Sequence, residues 1–320
     1  MRALVIGASG GFGGHVGREL AARGHEVWAL QRPGGRRPAI DGATRIEGDA
    51  LDLDAVRRAA RGMDAIVFGF HVPFPQWDPT AIEATRVTAT VAAETSATVL
   101  FPGNVFGLGP DFAEPLAEDC GREAVCRKGH LRNRMEDILQ DATRRGARAI
   151  VLRAGDYIAA GVDNNWLGEM ARRALQGGPI VDPGEPGVPH CWAYLPDVAR
   201  AGVDLLERRA DLAPFEVVHF EGYTVTQDVI IAAIRHTLGD PRRRVTKLPW
   251  FLLPIAGVIS PLMRELREMR YLWTEPVRLD GGKLRRLLPG FQVTPLQAAV
   301  DAALGARASA PRTATAVRAA

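Results

Sequence analysis

RALVIGASGGFGG, residues Arg2 to Gly14, decides how the rest of the chain is read. Ala3 to Ile6 form an apolar run too short for a helix that ends in a glycine cluster, so they predict a buried parallel strand. Gly7, Gly10 and Gly13 then give G-x-x-G-x-x-G, one residue off the dinucleotide fingerprint G-x-G-x-x-G. Phe12, Val16 and Leu20 follow at helical spacing. Strand, glycine turn and helix in that order make a phosphate site, because backbone approaches the anion closely and the helix N-terminus aims free N–H groups at it. The expected contacts are Gly7, Ser9, Gly10, Gly11, Phe12 and Gly13. The plainer reading is an ordinary strand-to-helix turn.

The remainder of the 320 residues sets limits on that reading. With 47% apolar and 24% charged residues, the composition is that of a soluble globular protein. A net charge of +3 is small for this length, and no basic run interleaves with aromatics, so a nucleic-acid partner is not expected. Cys120, Cys126 and Cys191 are odd in number and lack metal-ligand spacing, which predicts reduced thiols, no metal and a cytoplasmic location. The first strand begins at Arg2 and leaves no room for a signal peptide. The longest apolar stretch, Leu248 to Met263, is too short to span a bilayer and is broken by Pro249, Pro254 and Pro261.

Strands are expected at 25–30, 44–47, 64–70, 98–101 and 147–153, with helices at 52–60, 79–97 and 121–145 between them. That alternation predicts an α/β fold, a Rossmann-type doubly wound parallel sheet. From Ala154 to Tyr194 the chain turns rich in Gly, Pro and Asp and reads as loop. A helix at 196–209 and a strand at 215–220 come next, then helical segments near 264–271 and 294–304. The expected division is a dinucleotide-binding domain at 1–153, to which 196–220 returns, and a smaller C-terminal substrate domain at 154–195 and 221–304. Residues 305–320, rich in Ala, Arg and Thr, are expected to be a disordered tail.

The end of the second strand selects between nicotinamide cofactors, since an acidic residue there binds the ribose hydroxyls and an arginine pairs with a 2′-phosphate. No Asp or Glu lies between Val27 and Arg37, whereas Arg32, Arg36 and Arg37 do cluster there, which favours NADP(H) over NAD(H). A solvated basic loop is the alternative. Asp49 has the spacing to meet the adenine edge or to cap the next helix. Phe70, at the end of the fourth strand, completes the expected cofactor set.

GASGGFG, the GDALD segment, FPGNVFGLGP and Tyr194-Leu195-Pro196-Asp197-Val198-Ala199 occur in an order that resembles the short-chain dehydrogenase/reductase superfamily in its extended or atypical branches, the NAD-dependent epimerases and dehydratases among them. The resemblance spans most of the chain. It implies a catalytic tyrosine and, four residues on, a lysine on the helix after strand five. Here Lys128 stands in the tyrosine's place, Arg132 in the lysine's, and Phe101-Pro102-Gly103-Asn104 offers no Ser or Thr. The K-x-x-x-R-x-x-x-E register through Glu136 looks like the isoflavone and phenylcoumaran benzylic ether reductases, whose catalytic helix carries a lysine at this place. What the resemblance implies is NADPH-dependent reduction of a small carbonyl or conjugated molecule. A nucleotide-sugar epimerase or dehydratase, or a nonenzymatic dinucleotide sensor, is the alternative.

On a helical wheel, Lys128 falls inside the apolar stripe of Leu131, Met135, Ile138, Leu139 and Ala142 and so faces the sheet or the cleft. Burial and the neighbouring Arg132 would both favour the uncharged amine, with Glu136 opposing if it reaches Arg132. In this reading Lys128 is the proton donor, Asn104 orients substrate or the nicotinamide amide, and Arg132 completes the catalytic set. The competing reading of Lys128, Arg132 and Glu136 is a solvated i, i+4 charge ladder, with Asn104 and Phe106 as loop residues. Tyr157 is a replacement acid or packing, His71 and His190 are structural, Asp197 is a helix-start carboxylate, and Trp192 and Tyr194 line the pocket or fill core. The apolar 248–273 region predicts core, an apolar or aromatic substrate pocket, or a subunit contact such as a homodimer. Arg264, Arg267 and Arg270 leave a diphosphate ligand open.

Overall fold

A computed structural model describes residues 1–35, 40–73, 76–109, 115–162, 165–253 and 260–308. The first half alternates as the apolar pattern requires: β1 (Arg2–Ile6), α1 (Gly11–Ala22), β2 (Glu26–Gln31), β3 (Thr44–Glu47), α2 (Leu53–Ala59), β4 (Ala65–Phe68), α3 (Ile82–Thr95), β5 (Thr98–Asn104), α4 (Arg127–Thr143) and β6 (Arg148–Ala154). There follow β7 (Asp156–Ile158), α5 (Trp166–Arg172), β8 (Ile180–Asp182), β9 (Pro189–Tyr194), α6 (Leu195–Glu207), β10 (Phe215–Phe220), β11 (Tyr223–Thr226) and α7 (Gln227–Thr237). β12 (Val245–Lys247), α8 (Pro261–Glu268), α9 (Tyr271–Thr274), α10 (Gly282–Leu287) and α11 (Leu296–Ala308) follow, and short helical turns lie at Trp77–Ala81, Ala174–Gln176, Arg209–Asp211 and Trp250–Leu252.

Seven parallel strands form the central sheet in the order β3-β2-β1-β4-β5-β6-β10. Its strands are apolar throughout because both faces are covered. Leu4, Ile6, Ile66, Phe68 and Phe101 pack with α2, α3 and α4 on one side. Ala3, Val5, Val67, Leu100 and Leu152 pack with α1 and α6 on the other. The order reverses between β1 and β4, so the crevice that takes ligands in such sheets opens at their carboxyl ends. A three-stranded sheet, β11-β9-β7, and a two-stranded one, β12-β8, lie beyond it.

Several sequence expectations change. α4 starts at Arg127, not Gly121, because Cys126 is extended and caps the helix, its sulfur accepting from the Gly129 N–H at 3.3 Å. β5 continues past Phe101 to Asn104. Its pairing with β4 ends at Leu100, so the strand edge beyond has no ladder partner for the N–H that Pro102 lacks. The segment read as loop at 154–194 contains β7, α5, β8 and β9, three of them strands of three to six residues, too short to show a clear period. α11 also runs to Ala308, so residues 305–308 are helical rather than tail. Residues 309–320, and 254–259 of the apolar stretch, fall outside the described residues, as do Arg36 and Arg37.

Behind the sheet's last strands, Arg153 Nη2 and Glu136 Oε2 form a fully buried ion pair at 2.6 Å. Glu136 therefore does not turn to Arg132. His219 sits beside it, its Nδ1 donating to the Leu116 carbonyl at 2.9 Å and its Nε2 facing Arg153 Nη1 at 3.3 Å. Burial and that guanidinium push His219 down to about 4, so the ring is neutral. Asp197, in the first turn of α6, accepts from the Thr294 N–H and hydroxyl and from Arg200, tying the approach to the last helix to α6.

Candidate dinucleotide and substrate site

The three glycines of the opening stretch do different work. Gly7 has φ +74°, and a Cβ there would lie 2.1 Å from the Gly69 carbonyl oxygen. A Cβ on Gly13 would lie 2.6 Å from the Gly7 carbonyl oxygen, and one on Gly69 would lie 2.6 Å from the Gly13 Cα. These residues let β1, the end of β4 and α1 touch backbone to backbone. Gly10 differs: it is exposed, and a Cβ there would meet nothing closer than 3.2 Å. As N-cap of α1 it brings no side-chain cap, and the first turn carries no acidic residue. The helix thus presents uncapped N–H groups and its positive end to the crevice, which suits a pyrophosphate. Ser9 is exposed on the same turn, and Gly11 lies against Val162. Phe12 turns inward as part of the α1 core, so only its backbone faces the turn.

At the end of β2, Gln31 is buried and its amide donates to the Gly35 carbonyl at 2.9 Å, while the Gly35 N–H donates to the Arg32 carbonyl. Gly34 at φ +70° completes this Pro33-Gly34 turn. The turn holds Arg32 exposed at the strand end, where the adenosine ribose lies in this fold. Asp49 does not cap α2. That cap is Asp52, which accepts from the Asp54 and Ala55 N–H groups, while Asp49 accepts from Leu51 N–H in a turn of its own. Phe70 follows β4, half-buried beside Phe68 with ring centroids 6.2 Å apart.

The three charged residues of α4 do not form a solvated ladder. Lys128 is 1% exposed, and its Nζ meets Glu265 Oε2 at 2.8 Å and donates to the Glu265 carbonyl at 2.9 Å. The helical wheel places it inward as expected. Its near neighbour, however, is a carboxylate from α8, not Arg132, so the amine is held in an ion pair. Arg127 also meets Glu265, and its N–H donates to Glu268, so α8 is fastened to the start of α4 at three points. Gly129 permits the approach of α4 to the β5 loop, since a Cβ there would lie 2.2 Å from the Phe106 carbonyl oxygen. The Asn104 side-chain oxygen accepts from the Phe106 N–H at 3.1 Å.

Arg132, one turn further on, lies between elements. Its Nη2 donates to the Pro102 carbonyl at 2.7 Å, and its guanidinium carbon sits 5.2 Å from the Trp77 ring centroid and 5.1 Å from that of Phe101. Its Nε is buried with no hydrogen-bond partner among the described residues. The same charge acts on His71, which burial and Arg132 together hold below its ordinary value. It also acts on Tyr157, whose phenol burial pushes up to about 12 against the opposing pull of Arg132. The end of β4, the end of β5, α4 and β7 thus converge on one cation at the carboxyl edge of the sheet. Trp192 is core, Tyr194 is half-buried above α6, and His190 is buried against Asp156, a residue that sequence reading passed over because its partner lies 34 positions away. Arg264, Arg267 and Arg270 are exposed, and Arg270 meets Glu185 at 3.8 Å.

Among the described residues no group of three or more His, Cys, Asp or Glu side chains can hold a metal ion, and no helix is long and apolar enough to cross a membrane. A domain family described as NAD(P)H-binding matches residues 7–114. No curated protein sequence matches the chain. Solved structures share the fold across nearly the whole length. A protein of Burkholderia cenocepacia J2315 described as a candidate epimerase is 22% identical, with 97% of this chain and 98% of that one covered and a TM-score of 0.79. UDP-N-acetylglucosamine 4-epimerase from Bacillus cereus is 14% identical, with 98% of each chain covered and a TM-score of 0.78. UDP-glucose 4-epimerase from Thermus thermophilus, solved in complex with NAD, is 19% identical, with 97% and 100% covered and a TM-score of 0.74.

Proposed function

We propose that this chain, with its NAD(P)H-binding domain and the fold of the extended short-chain dehydrogenase/reductases, is an NADPH-dependent reductase of a small carbonyl or conjugated molecule. The observation that carries the reading is the Arg132 Nε–H, buried beside Trp77 and Phe101 at the carboxyl edge of the sheet and without a partner among the described residues. A cation with a free donor, walled by aromatic rings, suits a carbonyl oxygen on an apolar or aromatic molecule, where negative charge grows as the carbonyl is reduced.

The residues present fit a dinucleotide. Gly10 and the uncapped start of α1 would hold the pyrophosphate, Arg32 the ribose phosphate, and Asp49 the adenine edge with the carboxylate oxygen that Leu51 leaves free. When bound, the reduced nicotinamide supplies the hydride. Arg132 orients the substrate oxygen and stabilises its charge. Lys128 is a positioning residue: by holding Glu265 it fixes the first turn of α4 and hence Arg132, four residues further along.

Arg132→Gln is expected to lower kcat with NADPH and a carbonyl panel by about 100-fold or more, while NADPH affinity read by fluorescence stays within about 3-fold. Equal losses of binding and turnover would remove Arg132 from the reacting end. Arg32→Glu is expected to lower the NADPH-to-NADH affinity ratio by at least about 10-fold, the worth of one charge-assisted contact exchanged for a repulsion. An unchanged ratio removes Arg32 from the site. A nucleotide-sugar reading is supported by the fold neighbours that act on UDP-sugars. A rise in melting temperature with UDP-sugars, but no turnover of carbonyls, would favour it. Tight NADPH binding with neither would favour a sensor.

A further inference from the structure

Two buried histidines differ in one neighbour. In His219, Nδ1 donates to a carbonyl and Nε2 faces the Arg153 guanidinium, so the second nitrogen is a lone pair. In His190, Nδ1 lies 2.9 Å from the Leu272 carbonyl oxygen, and Nε2 lies 2.7 Å from Asp156 Oδ2. A carbonyl only accepts, so Nδ1 carries a hydrogen. Nε2 and the carboxylate oxygen would then face each other as two acceptors unless a proton lies between them. The ring also stacks on Trp273, with centroids 3.9 Å apart and planes 4° from parallel, a place that favours positive charge over the indole face. Trp192 meets it edge-on at 5.0 Å.

Asp156 stands just past the carboxyl end of β6, the edge of the sheet at which the crevice opens. It opens β7 two residues beyond the end of β6, pairing with Trp192 in β9. Its side chain is 20% exposed, against 3% for His190, and its second oxygen has no partner among the described residues. The titratable groups that feel the Asp156 charge are Tyr157 on the same strand, Cys191 from β9 and Tyr271 from α9. The Asp156 charge holds the phenols of Tyr157 and Tyr271 and the Cys191 thiol up, though burial is the larger cause in each.

We propose that Asp156 and His190 hold the proton that the reduction consumes, with Asp156 the residue that delivers it. The inference rests on the reductase reading. In the step, the carbonyl carbon takes a hydride from the reduced dinucleotide and the C=O π pair moves to oxygen. That oxygen takes the pair's one acidic proton from the Asp156 carboxyl, whose O–H bond breaks to leave the carboxylate, and the alcohol leaves. The carbonyl is reduced and the dinucleotide oxidised. The pair is left one proton short, with Nε2 and the carboxylate as facing lone pairs, and regains the proton from water at the exposed oxygen. Lys128, closed in by Glu265, has no part in the transfer.

The proton between His190 and Asp156 is read directly by proton NMR of the wild-type protein, with no substrate needed. A far-downfield exchangeable signal is expected, lost in both His190→Gln and Asp156→Asn, each checked for folding by its melting curve. Absence of that signal in the wild type, or its survival in either variant, overturns the shared proton. With NADPH and 4-nitrobenzaldehyde as the probe, Asp156→Asn is expected to lower kcat by about 100-fold or more with the NADPH affinity kept. Unchanged kcat overturns the role of Asp156. If the wild type binds NADPH yet reduces neither this probe nor any of the panel, the reductase reading fails and the transfer step with it. The NMR signal then still reports on the pair alone, so the two failures are told apart.

Discussion

Lys128→Met is expected to destabilise the protein by about 3–5 kcal/mol, because it strands the Glu265 carboxylate in a buried setting with its principal counter-charge removed. For a chain of this size that is a drop in melting temperature on the order of 10 °C. The double variant Lys128→Met/Glu265→Leu is expected to recover most of the loss, since replacing both partners of a buried pair with apolar groups is often neutral or better. Circular dichroism melts of the two single variants and the double complete the cycle. A Lys128→Met protein that melts like the wild type but has lost turnover would reverse the assignment, because the amine would then be spent on substrate and not on holding α8 against α4.

The glycine turn gives the second large effect, and it separates folding from binding within one motif. Gly13→Val is expected to abolish the folded state or to cost at least about 4 kcal/mol, since its Cβ would enter the Gly7 carbonyl at 2.6 Å and that backbone has no freedom to retreat from β1. Gly10→Val meets a milder contact with the same oxygen, its Cβ 3.2 Å from the Gly7 carbonyl. Its φ of −86° and ψ of 177° are ordinary for a β-branched residue. The variant is expected to keep its melting temperature within a few degrees and to lose NADPH affinity by about 10-fold or more, because the added methyls fill the space through which the pyrophosphate reaches the N–H groups of α1. Expression, melting curves and cofactor fluorescence read both outcomes. Normal NADPH binding by Gly10→Val would place the phosphates elsewhere.

Local signals account for what was legible in advance. β1, the turn and α1 are contiguous, so residue order alone shows strand, glycines and helix. The apolar stripe of α4 correctly puts Lys128 inside, because helical periodicity is a property of the helix itself. Its partner was not legible, since Glu265 is 137 positions away and lies in a segment whose strongest signal is apolar. The start of α4 was misplaced because its cap is the Cys126 thiol, whereas Ser, Thr, Asp and Asn are the usual markers. Likewise Asp49 and Asp52 are equivalent as letters, and only the N–H groups each one meets make the second the cap of α2. Asp156 and His190 are single residues in separate strands with nothing in the local pattern to join them.

The seventh strand of the sheet, Phe215–Phe220, reaches β6 only after the chain has left the sheet, formed β7, α5, β8, β9 and α6, and come back. A nascent chain emerging from the ribosome therefore carries β6 with an open, apolar edge through the synthesis of some sixty further residues, a long-range closure of the kind that slows folding and exposes strand edges to neighbours. The seven-stranded sheet cannot be finished before β7, α5, β8 and β9 have been made. A gene fragment that stops at β6 would encode a sheet still waiting for its border.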